Sequence, residues 1–426
     1  MNDLPGRTYR SRTADHRLAA MLRAFGGVLI EGPKWCGKTW TGLHHAKSTA
    51  YVDDPETGEQ ARLSPRVTLT GQYPRLIDEW QDAPVLWDSA RRIIDNTSGK
   101  GLFIFTGSAV PPANATSHSG TGRFTRLRMR PMSLFESGDS TGTVSLNCLF
   151  EGVIIDPDNS PSEMSFEKIV HLICRGGWPG SLELSEADAL HVPFAYLDQV
   201  AHSDLSRATG TRRSYGRVMA LIRALARHTA TQASLETVRA DMIAQARQHD
   251  MMARSTMAEY LEDLKRVFVV DDLPSWRYSI RSRSQVYAKP KRHLADPSLA
   301  VAALEATPEQ LLADPATTGF LFESLCVRDL RAYAESQGGS VCHYRDNHNL
   351  EADAIVTDGQ GAWGAVEIKL GRHQINQAAR TLLRLKDKLV ETTTAPAFLA
   401  VLTASGGIAH TREDGVHVVP IDCLGP

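Results

Sequence analysis

The segment Gly32-Pro33-Lys34-Trp35-Cys36-Gly37-Lys38-Thr39 has the spacing G-x-x-x-x-G-K-[ST]. Its glycines let backbone amides turn inward around phosphates, the Lys38 ammonium reaches the terminal phosphate oxygens, and the Thr39 hydroxyl ligates Mg2+. Amides from Gly37 onward open the helix that carries Trp40 and add the partial positive charge of a helix N-terminus. Downstream, the apolar run of Arg75-Leu76-Ile77 ends in Asp78-Glu79. Asp78 is expected to hold the metal through its water shell and Glu79 to polarise the attacking water as general base. An isolated Asp-Glu pair commonly marks a solvated loop; this one closes an apolar run downstream of a phosphate loop. Ser108, after Leu102-Phe103-Ile104-Phe105 and Thr106-Gly107, supplies a hydroxyl that can sense the γ-phosphate. The chemistry these groups share is Mg2+-assisted hydrolysis of a nucleotide.

Two further sets of side chains bear on chemistry. In Gly122-Arg123-Phe124-Thr125-Arg126-Leu127-Arg128, arginines alternate with apolar residues. They form either an edge strand with a charged face or an arginine finger, in which Arg123 or Arg126 stabilises transition-state charge on a neighbouring subunit's nucleotide. The finger implies a homo-oligomer. Near the C-terminus, Glu323 is an acid inside an apolar helical pattern, and a buried acid needs a partner or a metal. Asp353 and Glu367-Ile368-Lys369 flank the turn signal Asp358-Gly359. Strand residues two apart share a face, so Glu367 and Lys369 point the same way. Pairing Thr357 with Trp363 then places Asp353 opposite Glu367. Carboxylates of Glu323, Asp353 and Glu367 in that register can bind Mg2+ at a scissile phosphodiester, while Lys369 orients or activates water. Gln374 and Gln377 could support the site. The spacing alone recurs by chance, and the alternative is a fold of this kind used for binding or assembly without cleavage.

The elements that must position these groups follow from the apolar patterning. Val28-Leu29-Ile30 is a short buried strand leading into the phosphate loop, and the acidic pair and Ser108 each close another strand. The fold class expected is α/β: a parallel-sheet P-loop domain at 1–145, a helical lid or linker at 146–205, a basic helical segment at 206–298, and a second α/β domain at 299–426. In the third segment Ser234-Leu235-Glu236-Thr237 opens a helix. Ser255-Thr256 opens another, with Met257, Tyr260, Leu261, Leu264 and Val267 on one face. Strands are expected at Phe268-Val269-Val270 and Gln285-Val286-Tyr287-Ala288, with an arginine-bearing tip between them. Helices followed by a hairpin read as a winged helix, in which Arg254, Lys265, Arg277, Arg281 and Arg283 contact nucleic-acid phosphates. The alternative is a lid that packs on the P-loop domain or a neighbouring subunit.

At 426 residues the chain has room for about three domains. Its 42% hydrophobic and 23% charged residues are those of a globular protein. No run of about 18 apolar residues suits a membrane span, and the first thirty residues show no secretory h-region. Six dispersed cysteines without Cys-x-x-Cys fit reduced thiols in a cytoplasm. The net charge of −2 conceals an uneven distribution: residues 205–295 hold 17 Lys/Arg against 8 Asp/Glu. A basic middle flanked by acidic parts points to a polyanion partner, DNA before RNA, or to a solvated arginine-rich surface.

The ordered set Gly-Pro-Lys-x-x-Gly-Lys-Thr, Leu-Ile-Asp-Glu-x-Gln, Phe-Thr-Gly-Ser and Gly-Arg-x-x-Arg-Leu-Arg-x-x-Pro-Met-Ser resembles a bacterial and archaeal AAA+-type P-loop ATPase family. The likeness extends over about residues 15 to 420, through Gly176-Gly177-Trp178-Pro179-Gly180 and Lys289-x-x-x-His293-x-x-Asp296. It implies ATP binding at Lys38 and Thr39, an acidic pair at Asp78 and Glu79, a finger at Arg123, a winged-helix segment, and a C-terminal domain of unknown function. That last domain is similar to the PD-(D/E)xK nuclease superfamily, whose four positions match Glu323, Asp353, Glu367 and Lys369. One departure is Trp40, where such loops often carry a second small hydroxyl residue; it bears on base or ribose packing. On this reading Lys38→Ala and Glu79→Gln each abolish phosphate release. If Arg123 is a finger, Arg123→Ala lowers kcat by about 10³-fold or more; unchanged turnover in that variant removes the case for an oligomer.

Overall fold

The computed structural model describes residues 8–110, 119–157, 161–245, 252–277, 289–390, 392–404 and 407–426. These form two compact units. The first comprises the described part of Met1–Pro131 with Ser203–Arg212 and Asp263–Val269; the second comprises the described parts of Met132–His202, Arg213–Glu262 and Val270–Pro426. After Pro131 the backbone finds its partners in the second unit: the Leu134 amide donates to Asp329 at 2.9 Å, and the Ser140 hydroxyl to the carbonyls of Asp422 and Leu424.

In the first unit five strands, β1 (Gly27–Glu31), β2 (Ser48–Tyr51), β3 (Arg75–Asp78), β4 (Phe103–Gly107) and β5 (Phe124–Arg128), form a sheet in the order β2-β3-β4-β1-β5. All neighbours are parallel. Helices α1 (Ala14–Ala24), α2 (Lys38–His45) and α3 (Val85–Thr97) belong to the same unit. Val28, Leu29 and Ile30 are all buried, as a continuous apolar run requires in a parallel strand covered on both faces. Trp80, Trp87, Phe105 and Phe124 fill one side of the core, with Trp87 stacked on Phe124 at 4.1 Å. The strand order sets β4 between β1 and β3. The loop after β1, the acids ending β3 and the hydroxyls ending β4 therefore emerge side by side at the carboxyl edge, where ligands bind in open parallel sheets.

The second unit contains helices α4 (Phe166–Arg175), α5 (Tyr215–Arg227), α6 (Leu235–Gln245) and the greater part of α7 (Arg254–Arg266). Met257, Tyr260, Leu261 and Leu264 on α7, and Val267 beyond it, are buried as their spacing requires. Phe268-Val269-Val270 is not a strand: Phe268 adopts φ 60°, and Val270 alone bridges to Leu294. Leu273 pairs antiparallel with Lys291. The expected tip, with Arg281 and Arg283, and the expected strand 285–288 lie outside the described residues; Arg254 and Arg277 are exposed. There follow α8 (Pro297–Leu304), α9 (Pro315–Ser336) and a six-stranded sheet. Its strands are β6 (Ser340–Arg345), β7 (Glu351–Thr357), β8 (Trp363–Lys369), β9 (Phe398–Thr403), β10 (His410–Thr411) and β11 (His417–Pro420), and α10 (Ile375–Leu389) connects β8 to β9. The order is β10-β11-β9-β8-β7-β6. Strand β7 runs antiparallel to its neighbours β6 and β8, whereas β8, β9 and β11 run parallel.

A buried polar cluster explains two of the sequence signatures. Asp296 caps α8 through the Ser298 amide at 2.9 Å and accepts from the Gly177 amide at 3.0 Å and Arg328 at 2.8 Å. Trp178 donates its indole N–H to Ser298 at 3.0 Å, and Arg328 also pairs with Asp329. Gly177 admits no side chain, because a Cβ there would sit 2.0 Å from the Met132 carbonyl oxygen. Asp296→Ala removes one of the two carboxylates that face the buried Arg328 guanidinium and leaves two amides without their acceptor. It is expected to cost about 3–5 kcal/mol, read as a lower denaturation midpoint at unchanged slope.

Candidate functional site

The phosphate loop is shaped by its glycines and braced from behind. Gly37 is left-handed at φ 99° and caps α2; a Cβ on Gly32 would lie 2.2 Å from the Met129 carbonyl oxygen. Buried Arg12 donates to the carbonyls of Cys36 at 2.6 Å and Arg130 at 2.8 Å, fixing the loop to the end of β5. Lys38 is buried and its ammonium caps the Pro33 carbonyl at 2.7 Å. Cys36 points into the core, so it serves the loop through its backbone. Trp35 is half exposed at φ 61°, and Trp40 is partly buried on α2. Lys34 pairs with Asp204 at 2.6 Å, and Arg207 pairs with Asp82 just beyond the acidic pair, so Ser203–Arg212 borders the site at two places.

Opposite the loop, Asp78 accepts hydrogen bonds from Thr39 at 2.9 Å and from Thr106. Burial pushes its carboxyl above the usual range; the two hydroxyls oppose that and the nearby Glu79 and Asp53 add to it. A buried carboxylate held by hydroxyls, beside a threonine whose oxygen is a hard ligand, suits a divalent cation. Glu79 sits at φ 51°, and its carboxylate accepts from Ser108 at 3.0 Å and from Gln81. The expected residues Lys38, Thr39, Asp78, Glu79 and Ser108 thus converge. Thr106, the other hydroxyl of the Thr106-Gly107-Ser108 run, joins them, and Arg12 and Gln81 complete the set without having been singled out, although Gln81 belongs to the Leu-Ile-Asp-Glu-x-Gln signature. Arg123 and Arg126 stand apart from this hydrogen-bonded set: Arg123 donates to Asp95 on α3 at 2.7 Å, and Arg126 to Glu31 at 2.7 Å.

In the second unit β7 and β8 pair in the expected register, with Thr357 opposite Trp363 and Ala354 opposite Val366. The ladder then opens, and the Asp353 carboxylate accepts the Ile368 amide at 2.9 Å. Glu323 on α9, Asp353, Glu367 and Lys369 come together. So does a residue that no spacing in the sequence linked to them, Lys291. Its ammonium lies 2.7 Å from Glu323 and 3.1 Å from Asp353, while Lys369 lies 2.6 Å from Glu367 and 3.1 Å from Asp353. Burial and the Asp353 charge push the Glu323 carboxyl up to about 8. Burial and Asp353 likewise raise Glu367. Burial would raise Asp353 too, but the two ammonium groups and the Ile368 amide outweigh it and hold this carboxyl low. Neighbouring His293 is kept neutral, at about 3, by burial and by the Arg331 and Lys291 charges, and its ring contacts Ser324 at 3.1 Å. Gln377 is exposed, and Gln374 accepts the Gly371 amide in the turn that precedes α10.

The carboxylates do not present an open set to Mg2+. Glu323 and Asp353 share one ammonium, Asp353 and Glu367 share the other, and Glu367 Oε1 is the one buried oxygen of the trio without a partner. Among the described residues no group of three His, Cys, Asp or Glu is arranged to hold a metal ion. The expectation of Mg2+ at Glu323, Asp353 and Glu367 therefore meets a physical obstacle, since chain ammonium groups already neutralise these acids.

Residues 25–137 match a family model described as an AAA domain. Residues 166–310 and 318–424 match models described as domains of unknown function, DUF8612 and DUF4143 respectively. No curated protein matches the chain. Among solved structures, the chain is similar to a Walker-type ATPase of Pyrococcus abyssi at 13% identity and a TM-score of 0.41, over 71% of this chain and 99% of that one. The match over residues 25–137 makes the part that carries the phosphate loop and the parallel sheet an AAA-type domain; a helical segment and a C-terminal α/β domain follow it. Among the described residues no helix is long and apolar enough to cross a membrane.

The hydrogen bonds to Glu79 give a graded expectation. Glu79→Gln lowers kcat by about 10²–10⁴-fold, the usual worth of a general base, with ATP affinity retained. Ser108→Ala gives a smaller loss confined to kcat, because it frees the carboxylate without removing it; a change in KM alone contradicts the orienting role.

Proposed function

We propose that the chain is a Mg2+-dependent ATP hydrolase whose N-terminal unit controls a nucleic-acid-binding, nuclease-like C-terminal unit. The observation that carries the hydrolase reading is the convergence of Lys38, Thr39, Asp78, Glu79, Thr106 and Ser108 from three adjacent strand ends. Thr39 and Asp78 would hold Mg2+, which when bound withdraws charge from the β- and γ-phosphates. Lys38 exchanges the Pro33 carbonyl for phosphate oxygens. Glu79 accepts a proton from the water that attacks the γ-phosphorus, the bond to the bridging oxygen breaks, and ADP leaves. Amides of Gly32–Trp40 cradle the phosphates. Arg123, exposed and paired with Asp95 of its own chain, is the candidate finger for a neighbouring copy.

Nucleic-acid binding rests on the basic balance of residues 205–295, on the exposure of Arg254 and Arg277, and on an antiparallel pair that follows three helices in the chain. A winged helix in this segment would offer a helix to a wide major groove, which favours DNA; the deep, narrow groove of an RNA duplex excludes it. A cytoplasmic setting accords with six free thiols.

Phosphodiester cleavage is a second reading. It is favoured by the element order from α9 through β6, β7, β8 and α10 to β9, which carries Glu323, Asp353, Glu367 and Lys369 to one place. The engaged carboxylates favour the non-cleaving module. The test uses labelled single- and double-stranded DNA and RNA with Mg2+, with and without ATP, beside Lys38→Ala and Lys369→Ala. Binding to DNA is expected to weaken steeply with salt, at a log–log slope of about −0.9 per phosphate contact, and to respond to ATP in the wild type but not in Lys38→Ala. Cleavage that disappears in Lys369→Ala would instead establish the nuclease.

A further inference from the structure

We propose that Lys291 is the resident cation of the C-terminal carboxylate cluster: it stands between Glu323 and Asp353 in the place of a divalent metal, and the native cluster takes up no Mg2+. The inference deepens the nuclease-like reading of this unit and is independent of the ATP reading.

The first support is position. One ammonium lies within hydrogen-bond distance of an oxygen from α9 and an oxygen from β7, and its side chain is 6% exposed, against 12% for Glu323 and 7% for Asp353. A bridging cation would occupy that point, because Mg2+ must touch its carboxylate oxygens at about 2.0–2.1 Å and complete an octahedron. With Lys291 in place, Glu323 Oε1 and Asp353 Oδ1 are committed to the ammonium, and Asp353 Oδ2 to Lys369 and the Ile368 amide. The buried oxygen left without a partner, Glu367 Oε1, lies on the acid that Lys291 does not touch, and one such oxygen does not make a magnesium site.

The second support is that the backbone of Lys291 is held. Lys291 and Leu273 exchange both backbone hydrogen bonds, at 3.0 and 2.9 Å. Next to it, Arg292 pairs with Asp272 and accepts the Ala230 amide at its carbonyl, and the His293 ring contacts Ser324 on α9. The ammonium can therefore leave only by swinging a buried side chain out of a three-acid environment. The third support is charge. Three carboxylates facing two ammonium groups carry a formal charge of −1, whereas the same acids with Lys291 removed would carry −2, a deficit that a divalent cation can fill.

The full-length, nucleotide-free protein is titrated with Mn2+, with the free-ion electron paramagnetic resonance signal as readout. The wild type is expected to show no C-terminal site at millimolar Mn2+. Lys291→Met is expected to gain a single site that Lys291→Met combined with Glu323→Gln loses again. Lys291→Gln, which keeps hydrogen-bond donors without the charge, serves if the methionine variant does not fold. A wild-type site abolished by Glu323→Gln or Asp353→Asn overturns the proposal whatever the variants do, as does a folded Lys291 variant that gains no site. A wild-type site abolished by Thr39→Val belongs to the phosphate loop and leaves the absence of a C-terminal site, the supporting result, intact. Loss of DNA binding with an unchanged Mn2+ titration would count against the nucleic-acid reading and not against this one.

Discussion

Asp78 is a buried carboxylate whose hydrogen-bond partners are hydroxyls, one from the first turn of α2 and one from the end of β4. Burying an anion without a counter-charge is unfavourable, and its raised protonation range records that tension. Its position depends on the strand order. Because β4 lies between β1 and β3, the hydroxyl-bearing end of β4 can reach Asp78 on one side while Ser108, two residues on, reaches Glu79. A different order would leave the phosphate loop and the acids on separate parts of the sheet edge. The site suits a cation and phosphate because the fold supplies converging donors and a buried acid held by hydroxyls.

The second unit treats its buried acids differently. Asp296 is answered by Arg328 and by backbone amides, and Glu323, Asp353 and Glu367 by two lysines. Paired buried charges add little net stability against apolar replacements, but they penalise any arrangement that parts them. Here they fix how α8, α9, β7 and β8 meet. Both clusters draw in the short stretch 291–296, which supplies Lys291 to one and Asp296 to the other. That stretch has little regular structure of its own: its order comes from an antiparallel bridge, a helix cap and contacts with α9.

These two solutions bear on how the units divide their labour. The P-loop unit leaves its acids without a chain cation, and Lys38 rests on a backbone carbonyl from which a phosphate can draw it. The C-terminal acids are already neutralised by the chain. Chemistry that needs a metal is supported at the first site and opposed at the second.

Local sequence determined much of this. A buried strand followed by G-x-x-x-x-G-K-[ST] dictates a phosphate loop because only that backbone path turns amides inward, and the apolar runs ending in Asp78-Glu79 and Thr106-Gly107-Ser108 required strand ends. The period-two pattern and the Asp358-Gly359 turn fixed the pairing of Thr357 with Trp363, since a slip of one residue would move every side chain to the other face. Tertiary structure alone decided the rest. Arg12 behind the phosphate loop, Asp204 beside Lys34, and above all Lys291 among the acids are contributed by segments 24 to 170 residues away from their partners. Phe268-Val269-Val270 had strand propensity, yet it turns at φ 60° because the chain must leave α7 there. A periodicity reports the face on which a side chain lies; it carries no information about which distant charge that face will meet.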